Sequence, residues 1–186
     1  MEHFGLVSVA QRCEVLRGNW VGVGRDSLGR NSLAWLAGGG EMGALTRAKD
    51  WSSTPVGSVA AWPQSLKTAV SICLGSRHPI CVWWGKEHLT QFYNDGFISF
   101  LGAAKHRTAL GQSARECWSE IWHIIAPMLE GVFATGDATW SEDFLYVLDR
   151  NLPREEGYFT FPIVPFGMMM AQSAAFSAPA ARPRPE

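Results

Sequence analysis

PICVWWGKEHLTQFYNDGFISFLGAAKHRTALGQSARECWSEIW, Pro79 to Trp122, compresses a hairpin, a capped helix start, a small-residue loop and an aromatic-rich helix into one stretch. Ile80-Cys81-Val82-Trp83-Trp84 is β-branched and aromatic, and Gly85-Lys86-Glu87-His88 is a polar reversal with a glycine at the bend. Leu89 to Tyr93 follows at once, so the pair predicts an antiparallel hairpin. Trp83 and Trp84 are adjacent on a strand and must face opposite ways. Asn94-Asp95-Gly96 then breaks the pattern. The side chain of either Asn94 or Asp95 can accept hydrogen bonds from the free N–H groups of a helix starting near Phe97.

Working outward, Phe97 to Leu101 predicts a short helix, and Gly102 to Gly111 a loop or second short helix with Lys105, His106 and Arg107 outside. The next helix sets Trp118, Ile121, Trp122, Ile125, Met128, Leu129 and Val132 in one apolar arc, with Glu116, Glu120, His123 and Glu130 opposite. Pro127 kinks that helix or starts a second segment. Trp140 to Leu148 and Tyr158 to Phe161 read as two further strands joined across the polar, Pro153-containing connector Asp149 to Gly157. Upstream, Met42 to Lys49 reads as a short helix, Asp50 to Pro55 as a turn, and Trp62-Pro63-Gln64-Ser65 as the opening of a helix burying Leu66, Ala69, Val70 and Cys73. Residues 1–38 read as a flexible leader ending at Gly38-Gly39-Gly40. Gly22, Gly24 and Gly29 lack both the preceding strand and the following Lys-Ser or Lys-Thr of a phosphate loop.

The bulk composition narrows the function classes. The chain has 186 residues, 47% hydrophobic and 18% charged, enough for one core-bearing domain plus sequence outside it. A net charge of −1 gives no electrostatic footprint for nucleic acid or an acidic membrane. No apolar run is long enough to span a bilayer, and Glu2 and His3 stand where a signal peptide carries basic residues, so the expected location is the cytoplasm. Cys13, Cys73, Cys81 and Cys117 are scattered, with neither zinc spacing nor a disulfide framework, and read as reduced thiols. The nine tryptophans can build a core, a flat-ligand pocket or an interface.

Several short motifs resemble one family in order and spacing. Gly40-Glu41-Met42-Gly43-Ala44-Leu45, Asp50-Trp51, Ala61-Trp62-Pro63-Gln64-Ser65-Leu66, Trp83-Trp84-Gly85, Tyr93-Asn94-Asp95 and Ala138-Thr139-Trp140-Ser141-Glu142-Asp143 look like the PAS domain that begins many bacterial sensor histidine kinases. The resemblance covers about 39–161. It implies an α+β fold, a five-stranded antiparallel sheet with helices packed on one face, that senses a small molecule or dimerises and signals to a kinase. The histidine and nucleotide-pocket motifs of that kinase are absent from this chain, so the expectation is a sensory module of a two-component system that is not itself an enzyme. Cys117, in Arg115-Glu116-Cys117-Trp118, lacks the neighbours of the family's flavin-reactive cysteine. Haem-binding relatives use a histidine on the long helix, which makes His123 the one candidate ligand, although its place opposite the apolar arc points it to water.

Beyond Phe161 the resemblance stops. Relatives continue with a Ser-Tyr-Ser-Pro-Ile strand, an Asp-Asp-Gly turn and a Gly-Gly-hydrophobic-Phe-Cys strand, whereas this chain reads PIVPFGMMMAQSAAFSAPAARPRPE. Methionine has one codon, so Gly167 to Ala171 is encoded GGN-ATG-ATG-ATG-GCN, and the frame beginning at the third glycine base forces Asp-Asp-Gly. In that frame the codons of Pro162 to Phe166 permit Tyr-Ser-Pro-Ile-Arg, and those of Ser173 to Ser177 permit Gly-Gly-Ile-Phe-Cys. The reading predicts that 162–186 is a frameshifted, disordered tail, testable by resequencing the gene. In the family the last strand lies between the first and fourth, so the expectation is a sheet lacking its central strand, with unpaired ladder groups on Ile80 to Trp84.

The sensory reading nominates Trp84, Phe92, Phe97, Trp118 and Trp122 as pocket residues, with core packing the stronger reading of each side chain taken singly. No cofactor is required by the sequence and no metal site is read from it. A small haem-dependent or redox protein using His123 or Cys117 is one alternative. A dimerisation or interaction domain, or a non-functional fragment, is another, with a homodimer and a small-molecule ligand as the expected partners. Ser65, Ser113 and Ser119 lack the setting of a hydrolase nucleophile, and Glu142 and Asp143, adjacent on a strand, face apart and are no catalytic pair.

Overall fold

A computed structural model describes residues 35–165 and the backbone of residues 168–172. The leader through residue 34, including Cys13 and the Gly22-Gly24-Gly29 spacing, and the tail from residue 173 lie outside the described residues. The fold is α+β. In chain order it has α1 (Gly40–Ala48), α2 (Gln64–Gly75), β1 (Ile80–Trp84), β2 (Thr90–Tyr93), α3 (Ile98–Ala109) and α4 (Ala114–Cys117), then α5 (Trp122–Thr135), β3 (Thr139–Leu148), β4 (Glu155–Pro165) and β5 (Met168–Gln172). Short 3-10 turns occur between several of these, and no described helix is long and apolar enough to cross a membrane.

All pairings in the sheet are antiparallel, and the strand order is β2-β1-β5-β4-β3. The expected loss of the last strand is therefore corrected: Met168–Gln172 lies between β1 and β4. Met168 is opposite Trp84 and Gln172 opposite Ile80, while Pro165 and Ile163 of β4 meet Met169 and Ala171. The physical reason is that ladder pairing uses backbone groups every non-proline residue carries. Five consecutive residues without proline, one short link after β4, can fill a gap flanked by two unpaired strands. β4 itself runs past Phe161 through Pro165, carrying Ile163 at 0% exposure into the core.

Helices expected on one face pack on both. Gln91 and Phe92 are neighbours on β2 and so point to opposite sides of the sheet. Phe92 meets Trp51, stacked at 4.7 Å, and Trp62, edge-on at 5.4 Å, from the segment before α2. Such pairs contribute about 0.5–1.5 kcal/mol each beyond area burial. α2 lays Leu66, Ala69, Val70 and Cys73 against the β1–β2 hairpin on this side. Gln91 instead reaches Trp118, just past α4, on the other side. The core also takes in Leu36, ahead of the glycine triplet, and Trp35 packs 5.9 Å from Trp62.

Asn94 and Asp95 divide the capping work that either could have done. Asn94 is buried and accepts from Phe97 N–H at 3.2 Å and Ile80 N–H at 3.0 Å, while its amide donates to the Ser76 and His78 carbonyls. Asp95 caps a distant helix instead, accepting from Glu41 N–H at 3.1 Å and Met42 N–H at 2.7 Å at the start of α1. Gly40 makes that approach possible: its φ is +55°, and a Cβ there would lie 1.9 Å from Asp95 Oδ2.

The helix after Gly111 breaks at Trp118, not at Pro127, which α5 accommodates. Trp118 has φ −113° and ψ 30°, its indole is held by Gln91, and the Lys105 ammonium takes the Cys117 carbonyl at 2.8 Å. The lysine satisfies a carbonyl that a continuing helix would use, and the glutamine anchors the Trp118 side chain where α4 ends. Lys105 and His106, expected outside, are half-buried: Lys105 pairs with Glu120, and His106 lies between Tyr93 and Glu41. At the other sheet edge, residues 111–114 cover β2. Gly111 N–H donates to the Gln91 carbonyl, Gln91 N–H to the Gln112 carbonyl and Ala114 N–H to the Leu89 carbonyl, all within 3.0 Å.

Candidate functional site

Between the sheet and α3–α5 lies an open-mouthed cavity of about 60 Å³. The strands contribute Trp83, Tyr146, Leu148, Phe159 and Phe161, and the helical side contributes Phe97, Phe100, Trp118, Ile121 and Ile125. Strand alternation explains the sheet-borne set. Tyr146 and Leu148 are two apart on β3, Phe159 and Phe161 two apart on β4, and each pair lines one face. Phe97 and Phe100 stack at 5.2 Å where α3 begins, and Phe100 also meets Phe159 at 5.4 Å.

Gln91 organises this wall from behind. It is 0% exposed, and its Oε1 accepts from both Trp83 Nε1–H at 2.9 Å and Trp118 Nε1–H at 2.8 Å. Its Nε2 donates to the Ala109 carbonyl at 3.4 Å and to Cys117 Sγ at 3.5 Å. One buried amide thus fixes two indoles that line the cavity, one from a strand and one from the helical layer. The Tyr146 hydroxyl pairs with Ser141 Oγ at 3.1 Å, so it too is engaged away from a ligand.

Of the five nominated residues, Phe97 and Trp118 line the cavity. Phe92 is buried in the separate Trp51–Trp62 cluster across the sheet. Trp84 and Trp122 are half-buried and outside the lining, and Arg115 lies over the Trp122 ring at 5.3 Å. Of the adjacent pair on β1, Trp83 rather than Trp84 belongs to the site. Sequence reading missed Phe159, Phe161, Tyr146 and the polar anchor Gln91. The period-2 pattern of β3 and β4 offered a signal for the first three, whereas a single amide within a short strand carries no signal of burial.

The candidate haem and redox residues are placed differently. His123 is exposed on α5 and outside the cavity lining, so the residues present do not fit a haem held in this cavity. Cys117 is buried, and burial pushes its thiol pKa up, away from the thiolate that redox chemistry needs. Burial likewise pushes Cys73 up to about 12 and Cys81 well above its ordinary value. Among the described residues no group of three or more His, Cys, Asp or Glu is placed to hold a metal ion.

A second polar cluster joins α1, β2 and α3. The buried Tyr93 hydroxyl donates to the His106 carbonyl at 2.6 Å and lies 3.1 Å from His106 Nδ1, whose Nε2 is 3.2 Å from Glu41 Oε1. Burial raises the Tyr93 phenol pKa, so it stays a neutral hydrogen-bonding group in the folded chain. Two cations adjoin the cavity wall. Lys105 lies 4.9 Å from the Trp118 ring centre and pairs with Glu120, and Arg150 lies 5.6 Å from that of Phe159 and pairs with Glu155. Comparison with protein-family models finds no match, and comparison with curated proteins finds none.

Proposed function

We propose that the chain is a PAS-like sensory module that binds a small molecule in the cavity between its sheet and α3–α5 and signals by contact rather than by catalysis. The observation that carries this reading is the strand order β2-β1-β5-β4-β3, with the last strand between the first and fourth, around an aromatic cavity. That is the order implied by the resemblance to sensor histidine kinases. The cavity's mostly apolar lining suits reversible binding of a small apolar ligand. A ligand touching Trp83, Tyr146 and Phe159 together would reach three different strands at once, which gives the sheet a means of sensing occupancy.

Thermal unfolding of the purified chain against a panel of small organic molecules tests the reading, with Ile125→Phe as the cavity-filling control. The expected result is at least one compound that raises the Tm of the parent chain and not that of the variant. Equal stabilisation of both chains would put binding elsewhere and overturn the cavity reading.

A second reading rests on a different surface. Trp140, Leu145 and Tyr158 are 57%, 39% and 43% exposed on β3 and β4, and Leu145 and Tyr158 are directly opposed in the ladder. Exposed apolar side chains on these two strands favour an interaction domain, with a second copy as the partner implied by the resemblance. Sedimentation at varied concentration tests it: a dimer dissociated by Leu145→Glu is expected, and a monomer at every concentration refutes it.

A further inference from the structure

The polar groups around the cavity are already committed to the protein. Trp83 and Trp118 donate their indole N–H groups to Gln91, at 2.9 and 2.8 Å, and the Tyr146 hydroxyl is 3.1 Å from Ser141 Oγ. The Gln91 amide is itself engaged with the Ala109 carbonyl and Cys117 Sγ. The nearby cations are neutralised, Lys105 by Glu120 and Arg150 by Glu155. What faces the cavity is ring surface and alkyl carbon from Phe97, Phe100, Phe159, Phe161, Ile121 and Ile125.

From this we infer that the ligand class is an uncharged, planar apolar molecule. The inference rests on the sensory reading and names the chemistry of that same site. A carboxylate entering the cavity would lose its hydration and gain a cation only by displacing Glu120 from Lys105 or Glu155 from Arg150. An ammonium would lose its hydration with no carboxylate in the lining to receive it. Each exchange costs more than it returns. A neutral ring system loses little hydration and gains stacked or edge-on contact with the aromatic wall. The same arrangement explains the buried Gln91: by occupying both indole donors, it turns two residues able to bind polar ligands into apolar wall.

The test uses three probes of matched size: naphthalene, 1-naphthoate and 1-naphthylmethylammonium at neutral pH. Each is titrated into the purified chain while the indole N–H resonances of Trp83 and Trp118, assigned with Trp83→Phe and Trp118→Phe, are followed by NMR. Naphthalene is expected to shift both resonances and to bind at least about tenfold more tightly than either ion. If an ion shifts the same resonances and binds as tightly as naphthalene, the ligand class is overturned while the cavity remains a binding site. If none of the probes shifts either resonance while the chain retains its thermal transition, both the ligand class and the cavity reading fail.

Discussion

Replacing Gln91 by Leu removes one amide and strands two indoles. The side chain is 0% exposed, and Trp83 and Trp118, whose Nε1–H groups both bond to its Oε1, are each 5% exposed. A buried donor left without a partner costs about 1–3 kcal/mol, so two orphaned indoles set a gross loss of about 2–6 kcal/mol. Leucine no longer carries an amide that must be kept hydrogen-bonded, which offsets part of this, and the net expectation is a loss of about 2–4 kcal/mol. Urea unfolding at pH 7, followed by tryptophan fluorescence and far-ultraviolet circular dichroism, measures it as a lower midpoint at unchanged slope. A double-mutant cycle with Trp118→Phe isolates the interaction. With one donor already removed, Gln91→Leu should cost less by about 1–3 kcal/mol. A loss below about 0.5 kcal/mol for Gln91→Leu, or additive effects in the cycle, would refute the two-indole anchor.

Two other regions give independent expectations. Asp95→Ala should destabilise the fold by about 1–2 kcal/mol through loss of the α1 cap, and Gly40→Ala by a similar amount, because its Cβ would enter the space of the same carboxylate at φ +55°. If Gly40→Ala is neutral in urea unfolding, the close approach is wrong. The raised thiol pKa values of Cys73, Cys81 and Cys117 predict alkaline destabilisation. Above about pH 8.5 the unfolded chain releases thiol protons that the native chain keeps, so stability is full below that pH and falls as pH rises toward the native values. Each thiol that stays protonated in the native state removes about 2 kcal/mol between pH 8 and pH 10. Cys81→Ala should flatten the pH dependence of the urea midpoint, and an unchanged slope would show that Cys81 ionises in the native state.

Local backbone grammar was legible where side chains specify it. Ile80–Trp84 is a strand as its β-branched and aromatic run requires, and α2 buries Leu66, Ala69, Val70 and Cys73 as their spacing predicts. The face of the Trp83–Trp84 pair was not legible, because alternation says only that they oppose each other. Asp95 shows why long-range capping escaped sequence reading: its acceptors were recognised, but the N–H groups they serve lie 54 and 53 residues earlier. Gln91 was missed for a related reason, since its partners Trp83 and Trp118 meet only once the sheet and helical layer have packed. The fifth strand escaped because side-chain comparison was asked to decide a question of backbone pairing. Three methionines have no strong strand pattern, yet their backbone N–H and C=O groups can complete the ladder.

Amide exchange along β1 tests the completed sheet most directly, because the strand carries its own control. Asn94 N–H bonds to the Ile80 carbonyl, and Gln91 turns its backbone outward to Gly111 and Gln112. By alternation, Val82 and Trp84 therefore bond toward β2, and Cys81 and Trp83 toward β5. With Met168–Gln172 in place, hydrogen exchange followed by NMR should show the Cys81 and Trp83 amides slowed at least about a thousandfold, comparably to Val82. Fast exchange at Cys81 and Trp83 beside protected Val82 and Trp84 would mean that β5 does not close the sheet, and would contradict the architecture on which the cavity depends.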